Sequence, residues 1–461
     1  MKLNLRFLYL LPLLAVLFTN PAFNAFFFGK ADQAGLGLRY EYALTALALL
    51  AAVRYYEYFQ PVVRVWLGVL LASMAGLGLE SYALWHSWAK YPHVFSKLTA
   101  LLPLFGMYAV YRRLPPPPYR QLAGLMLVTL LLSLVVVYPE ALSLGSFLET
   151  ERGFSVTSAY LLLPVALLCL NFYICSNNLV YGLACLLCVA LIVFLQHRTV
   201  WVCTTLALVI DLGLLALRVP RARAWGTRLA VLGALGLGLG LASGLAVVLD
   251  NPDVVQKLAK SISDIEHPTT QGTGTFRMQQ YEAYLPLVRE RPIAGWRLQG
   301  FEVPVQFYSD DSGKQVWPDF TGHHFHSLYL DRLFYFGGLG VLLVLLVPVL
   351  LLGRCLLSFA PLDEGPAALL AFVATFPVFG LSYDWPNYAY GFIGMLLAIT
   401  SKPAPAVAER RPARRTLPKT KPVAALESPV FQCADLLAAH PPLVGAAPWR
   451  TARWLGFSLR F

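Results

Sequence analysis

Thr321-Gly322-His323-His324-Phe325-His326-Ser327-Leu328-Tyr329-Leu330-Asp331 closes a polar segment that begins at Asp250, and an apolar span starts immediately behind it. Almost everything before Asp250 is apolar runs with short connections. Three of the chain's eight histidines fall within four positions at the mouth of that span. Ionisable side chains gathered at a membrane helix read first as a functional site.

Composition agrees with a membrane setting. The 461 residues are 57% hydrophobic and 13% charged, with mean hydropathy +0.60. A soluble chain carries roughly a quarter charged residues. The polar segments are too few to cover so many apolar ones, which excludes a soluble core and predicts an all-α integral membrane protein. The net charge is +11, but the stretch from Ser401 onward holds ten Lys/Arg against three Asp/Glu. A basic tail beside a membrane meets anionic headgroups or fixes topology, so it points to membrane lipids and not to nucleic acid. None of the seven cysteines lies between Asp250 and His326. Cys185 and Cys188 form a C-x-x-C inside an apolar span, where small core residues are expected in preference to redox or metal ligands.

Lys2 and Arg6 precede an apolar run to Phe28 with no convincing small-x-small cleavage site, so a retained first helix is expected. Further spans fall at roughly 40–56, 63–84, 94–111, 121–138, 157–175, 179–196, 199–217, 228–249, 329–352, 365–383 and 387–400. About twelve transmembrane helices are expected: about nine in 1–249, a large periplasmic loop at 250–326, about three in 327–400, and a basic, Pro-rich disordered tail at 401–461. Arg54 and Arg64, then Arg112, Arg113 and Arg120, then Arg218, Arg221, Arg223 and Arg228 mark three loops on one side. The positive-inside bias makes that side cytoplasmic, with both termini. Outside then lie the Asp250–His326 loop, Gln196-His197-Arg198, Ser382-Tyr383-Asp384-Trp385-Pro386-Asn387, and Tyr138 to Ser155 with Glu140, Glu149 and Glu151.

Within the large loop, Val254, Val255, Leu258 and Ile262 predict a short amphipathic helix over 253–263. His267 to Thr275, with two glycines, predicts a flexible connection. Phe276 to Glu290 predicts a helix, kinked at Pro286 and stopped before Pro292. Its Arg277, Gln280, Tyr281 and Tyr284 share one face. Tyr308 to Lys314 reads as an exposed tip.

The run His324-Phe325-His326-Ser327-Leu328-Tyr329-Leu330, followed by Gly337-Gly338-Leu339-Gly340, resembles the signature of the O-antigen ligase and polymerase family, commonly H-x-H-N-x-Y-L and then a Gly-Leu-x-Gly helix. Arg277, Tyr281 and Arg291-Pro292-Ile293-Ala294-Gly295-Trp296 resemble that family's upstream stretch, and Gln196-His197-Arg198-Thr199 its Ser-Arg position. The resemblance covers roughly Tyr160 to Leu352. Two positions depart: Ser327 stands where the family has Asn, and Arg297 where it has Gly.

The resemblance implies a GT-C-like membrane glycosyltransferase in the bacterial inner membrane. It would move a glycan from undecaprenyl diphosphate to a hydroxyl acceptor such as lipid A-core at the periplasmic face, with inversion, without metal or cofactor. The residues suit that chemistry. A lipid diphosphate leaving group is already activated and needs cations, and the fork of arginine holds it in a bidentate manner. Arg198 and Arg277 are the candidates. The attacking hydroxyl must lose a proton, for which a neutral imidazole is the natural base. His326 stands first and His324 second, with Tyr281 and Asp384 as acceptor or loop contacts.

Blander roles weigh against each residue. Arg198 at a span's start doubles as an interfacial anchor, and Arg277 as a solvated helix charge. A zinc site at His323, His324 and His326 lacks a completing Cys or carboxylate. Glu80 and Asp211 read as paired helix-interface groups before proton relays. A polymerase with the same donor is the nearest alternative. A lipid-linked glycan transporter is the alternative of another class, but it should show internal repeats and midmembrane charges, and no repeat is visible.

Overall fold

The computed structural model describes residues 5–29, 35–148, 153–222, 224–250, 252–266, 273–304 and 323–401. The connection at 267–272, the tip at 308–314, Glu149, Glu151, Arg223 and the tail from 402 lie outside the described residues. Among the described residues every regular element is a helix. Among the described residues seven helices are long and apolar enough to cross a membrane: Leu36–Arg54, Pro61–Trp85, Pro92–Arg113, Tyr119–Val137, Val156–Ser176, Arg198–Arg218 and Leu328–Leu357. The pair Leu8–Leu17 and Pro21–Phe28 bends by 96° and makes an eighth if it is one span. The remaining expected spans fall on the shorter apolar helices Leu179–Phe194, Trp225–Leu241, Glu364–Gly380 and Asn387–Thr400.

Prolines and short polar caps set several boundaries. Pro61 and Pro92 open their helices, where the missing N–H costs nothing. Asn20 bends the first pair: its side chain accepts from Ala22 N at 2.9 Å and caps the second helix. Asn171 and Asp211 are fully buried and joined at 2.9 Å between Leu162–Ser176 and Arg198–Arg218, the paired interface expected for Asp211. Cys185 and Cys188 are buried in the helix core.

The basic loops meet at one end of the bundle. Arg113 lies over the rings of both Tyr55 and Tyr58, at 5.0 and 4.8 Å. Arg218 donates to Cys355 O and Ala360 O, and Arg120 lies over Phe172 and Tyr181. The Pro92–Arg113 helix carries Arg112 and Arg113 at this end and His93 at its other end, where His93 Nε2 is 3.3 Å from His323 O. Basic loops and histidines therefore occupy opposite ends. Two segments expected to share the histidine end also touch each other: Gln196 donates to Phe147 O at 2.7 Å.

The long Leu328–Leu357 helix departs from a simple span. It breaks at Gly337, where φ is +61°. Two amides freed by the break find partners in the preceding loop: Gly338 N donates to Pro292 O at 2.8 Å and Leu339 N to Ile293 O at 3.1 Å. Trp296 N returns a bond to Phe334 O at 2.9 Å. Non-helical backbone at this depth is tolerated because it is satisfied by protein. Gly295, at φ +63°, comes so close that a Cβ would stand 2.5 Å from Phe336 N, and one on Gly337 would overlap the Ile293 carbonyl. The two glycine motifs are thus two sides of one backbone-to-backbone contact.

Candidate active site

The helix Thr273–Glu290 lies beside the histidine run and holds it through one face, as its spacing predicts. It begins a little before Phe276, and the amphipathic helix before it, Pro252–Glu266, is slightly longer than its apolar pattern. Gln280 Oε1 accepts from His326 N at 3.2 Å. The Tyr281 hydroxyl meets Ser327 Oγ at 2.6 Å. The Tyr284 hydroxyl meets His323 Nδ1 at 2.6 Å. Ser327 is the N-cap of Leu328–Leu357: its Oγ accepts from Leu330 N and also reaches Gly380 O at 3.3 Å. Asn caps as well as Ser does, so this departure keeps the capping function.

The three histidines divide into two kinds. His323 is buried, with both ring nitrogens engaged. Its Nε2 must donate to Val303 O at 2.9 Å, so Nδ1 accepts from Tyr284. Its amide and carbonyl both bond the Tyr335 hydroxyl. A ring so occupied has no lone pair for zinc. His324 and His326 are exposed on either side of buried Phe325. They face different neighbours. The His324 ring is 4.0 Å from the ring of His93, and the His326 ring is 5.5 Å from Phe276, edge to face. Partial burial and then the charge of Arg277 lower the His326 pKa from its ordinary value. Its imidazole is therefore neutral at neutral pH and able to accept a proton.

Arg277 sits beside His326 and over the ring of Tyr383, 5.0 Å from its centroid. Arg198 is the first residue of Arg198–Arg218, a helix that packs against Phe376–Gly380 and Val156–Tyr160. The helix that Arg198 opens packs against Phe376–Gly380, and Arg277 lies over Tyr383, three residues beyond that short helix. Neither arginine, nor His324 or His326, lines the apolar cavity of about 650 Å³ between Pro61–Trp85 and Leu328–Leu357. Glu80 and Arg297 border that cavity as an ion pair at 2.6 Å. Arg297 adopts φ +48°, a left-handed conformation that explains why glycine suits its position.

Beneath the mouth lies a charge chain that the sequence did not single out. Lys97 Nζ is 2.5 Å from Asp331 Oδ1, Asp331 Oδ2 pairs with Arg332, and Arg332 Nη2 reaches both oxygens of Asp384 at 3.3 Å. Lys97, Asp331 and Arg332 are buried, and Asp384 is partly exposed. Lys97 also lies 4.6 Å from the centre of the Tyr335 ring. The available signal was three ionisable residues at the histidine ends of apolar spans. Asp384, expected as an acceptor or loop contact, is held by this chain. Among the described residues no group of three or more His, Cys, Asp or Glu is placed to hold a metal.

Residues 183–345 match the family model described as O-antigen ligase, and that stretch contains Arg198, Arg277 and the histidine run. No curated protein matches the chain.

Proposed function

We propose, on the premise of that O-antigen ligase match, that the protein is a ligase-type glycosyltransferase drawing on a polyprenyl-diphosphate donor. A family-level activity on lipid-linked glycans stands behind this. The observation that supports it most is the placement of Arg277 beside a neutral His326 at one helix mouth. Arg277 and Arg198 hold the diphosphate of an undecaprenyl-linked glycan and neutralise the charge that develops as it leaves. His326 accepts the proton of the attacking acceptor hydroxyl as oxygen attacks the anomeric carbon from the face opposite the diphosphate. One displacement inverts that carbon. His324 is the alternative base, and its contact with His93 sets it apart from the Arg277 side. Reaction at the periplasmic face fits the separation of the histidine end from the basic loops.

The test supplies the purified full-length protein with polyprenyl-diphosphate-linked glycan and two acceptors: a lipid-anchored core sugar, and a second copy of the donor's repeat unit. Product on the core sugar with loss of the diphosphate carrier supports the ligase. Elongated lipid-linked glycan makes it a polymerase. No transfer to either, with donor moved across vesicles, makes it a transporter.

A further inference from the structure

An arginine that binds a leaving diphosphate must be held in one geometry, since ordering a long side chain at the moment of binding lowers affinity. Arg277 projects from a helix surface, and among the described residues no hydrogen bond ends on its buried Nε. What orders it is the ring of Tyr383, 5.0 Å from the guanidinium carbon. A ring against the flat face of a guanidinium leaves its edge, with the N–H donors, open to two phosphate oxygens.

Tyr383 is itself fixed from both sides. Its amide donates to Phe379 O at 3.1 Å, and its ring packs on Phe379, centroids 5.3 Å apart. Phe379 stacks on Tyr160 at 4.2 Å, and the Tyr160 hydroxyl bonds Thr375 Oγ1 at 2.5 Å. On the other side, Asp384 takes the two contacts from buried Arg332 and a 2.8 Å bond from Trp385 N. Both sides of Tyr383 are anchored to buried structure, and Arg277 rests on its ring.

We propose that Tyr383 is the positioning residue of Arg277, presenting its guanidinium edge-on to the diphosphate of the lipid-linked donor. The proposal rests on the diphosphate role given to Arg277 above. Tyr383 touches no reacting atom and acts through the arginine.

The experiment measures donor KM and kcat in full-length variants, using polyprenyl-diphosphate-linked glycan. Tyr383→Leu should raise donor KM about 2- to 30-fold, the span of a cation–π contact between exposed and desolvated settings, with kcat nearly unchanged. Tyr383→Phe, which keeps the ring, should behave as the parent. In an Arg277→Ala background, Tyr383→Leu should add nothing. A loss confined to kcat, or a full additional loss in the Arg277→Ala background, overturns the proposal, because either marks a structural role for the ring. Should Tyr383→Leu fail to fold, phenylalanines of increasing ring fluorination at 383 keep the shape and drain the negative face. Donor KM rising along that series supports the proposal, and a flat series overturns it. If Arg277→Ala itself leaves donor KM unchanged, the diphosphate assignment fails first. If Arg277→Ala raises KM and Tyr383→Leu does not, the positioning role alone is wrong.

Discussion

The mouth of the Leu328–Leu357 helix and the layer just beneath it hold the same kinds of polar group and use them in opposite ways. At the mouth, His324 and His326 are exposed, and Arg277 rests on an aromatic face. Beneath it, Lys97, Asp331, Arg332 and Asp384 alternate in sign and pair with one another. Two cations and two carboxylates cancel within that chain, leaving no net charge there to attract a ligand. A buried charge without a partner is expensive, so the lower layer is spent on holding helices together. Charge near a membrane surface therefore marks chemistry only where its pairing capacity is not already consumed nearby.

The largest effect is expected at His326. His326→Ala should lower transfer by about 10²–10⁴-fold, the usual worth of a positioned base, while expression and donor binding persist. His324→Ala should cost much less. Equal activity in both variants and the parent would remove imidazole catalysis from the mouth. Activity kept in His326→Ala but lost in His324→Ala would move the base to His324.

Lys97→Met tests the lower layer from the other side. Removing one partner of a buried ion pair typically costs about 3–5 kcal/mol. Thermal unfolding in detergent should fall steeply for Lys97→Met, whereas His326→Ala should melt with the parent. A Lys97→Met protein of parental stability and no activity would place Lys97 with the reacting groups. Gly337→Ala should destabilise less, since it loses the contact with Ile293 and forces a Cβ into φ +61°. The same unfolding assay reads it, and a neutral outcome would mean the break in the helix is not required.

The smallest effect is on pH. The base role proposed for His326 requires the neutral imidazole, that is, a pH above its pKa. Burial and the charge of Arg277 lower that pKa, so the acid limb of kcat/KM should fall below the ordinary imidazole value of about 6.5. Arg277→Gln removes the second cause and should move the limb upward, toward 6.5. A limb that does not move would separate Arg277 from His326.

Much of this arrangement was legible in the sequence. Apolar runs separated by short polar turns marked the seven helices long enough to cross, because a span needs length and little else, while four other expected spans fall on helices too short to pass that test. The face formed by Gln280, Tyr281 and Tyr284 could be read from helical spacing, and all three grip the histidine run. The division among the histidines was only half visible. His323 looks like its neighbours until Tyr284 and Val303 are seen on its two nitrogens. The charge chain was not legible, because Lys97 and Asp331 are 234 positions apart and each alone resembles an interfacial anchor. Arg297, odd where glycine is usual, made sense only once its backbone angle and its pairing with Glu80 were known.

The contact between Pro292–Trp296 and Phe334–Leu339 has a consequence for recombination. Three backbone bonds and two facing glycines make these stretches a single joint, although some forty residues of chain separate them. A chimera that takes its large loop from another protein matching the same family model and its following helix from this chain cuts through that joint. Such a hybrid should assemble only when the junction is moved to include both glycine motifs from one parent. The smallest portable part of this site is therefore the loop's descending end together with the first turns of the membrane helix.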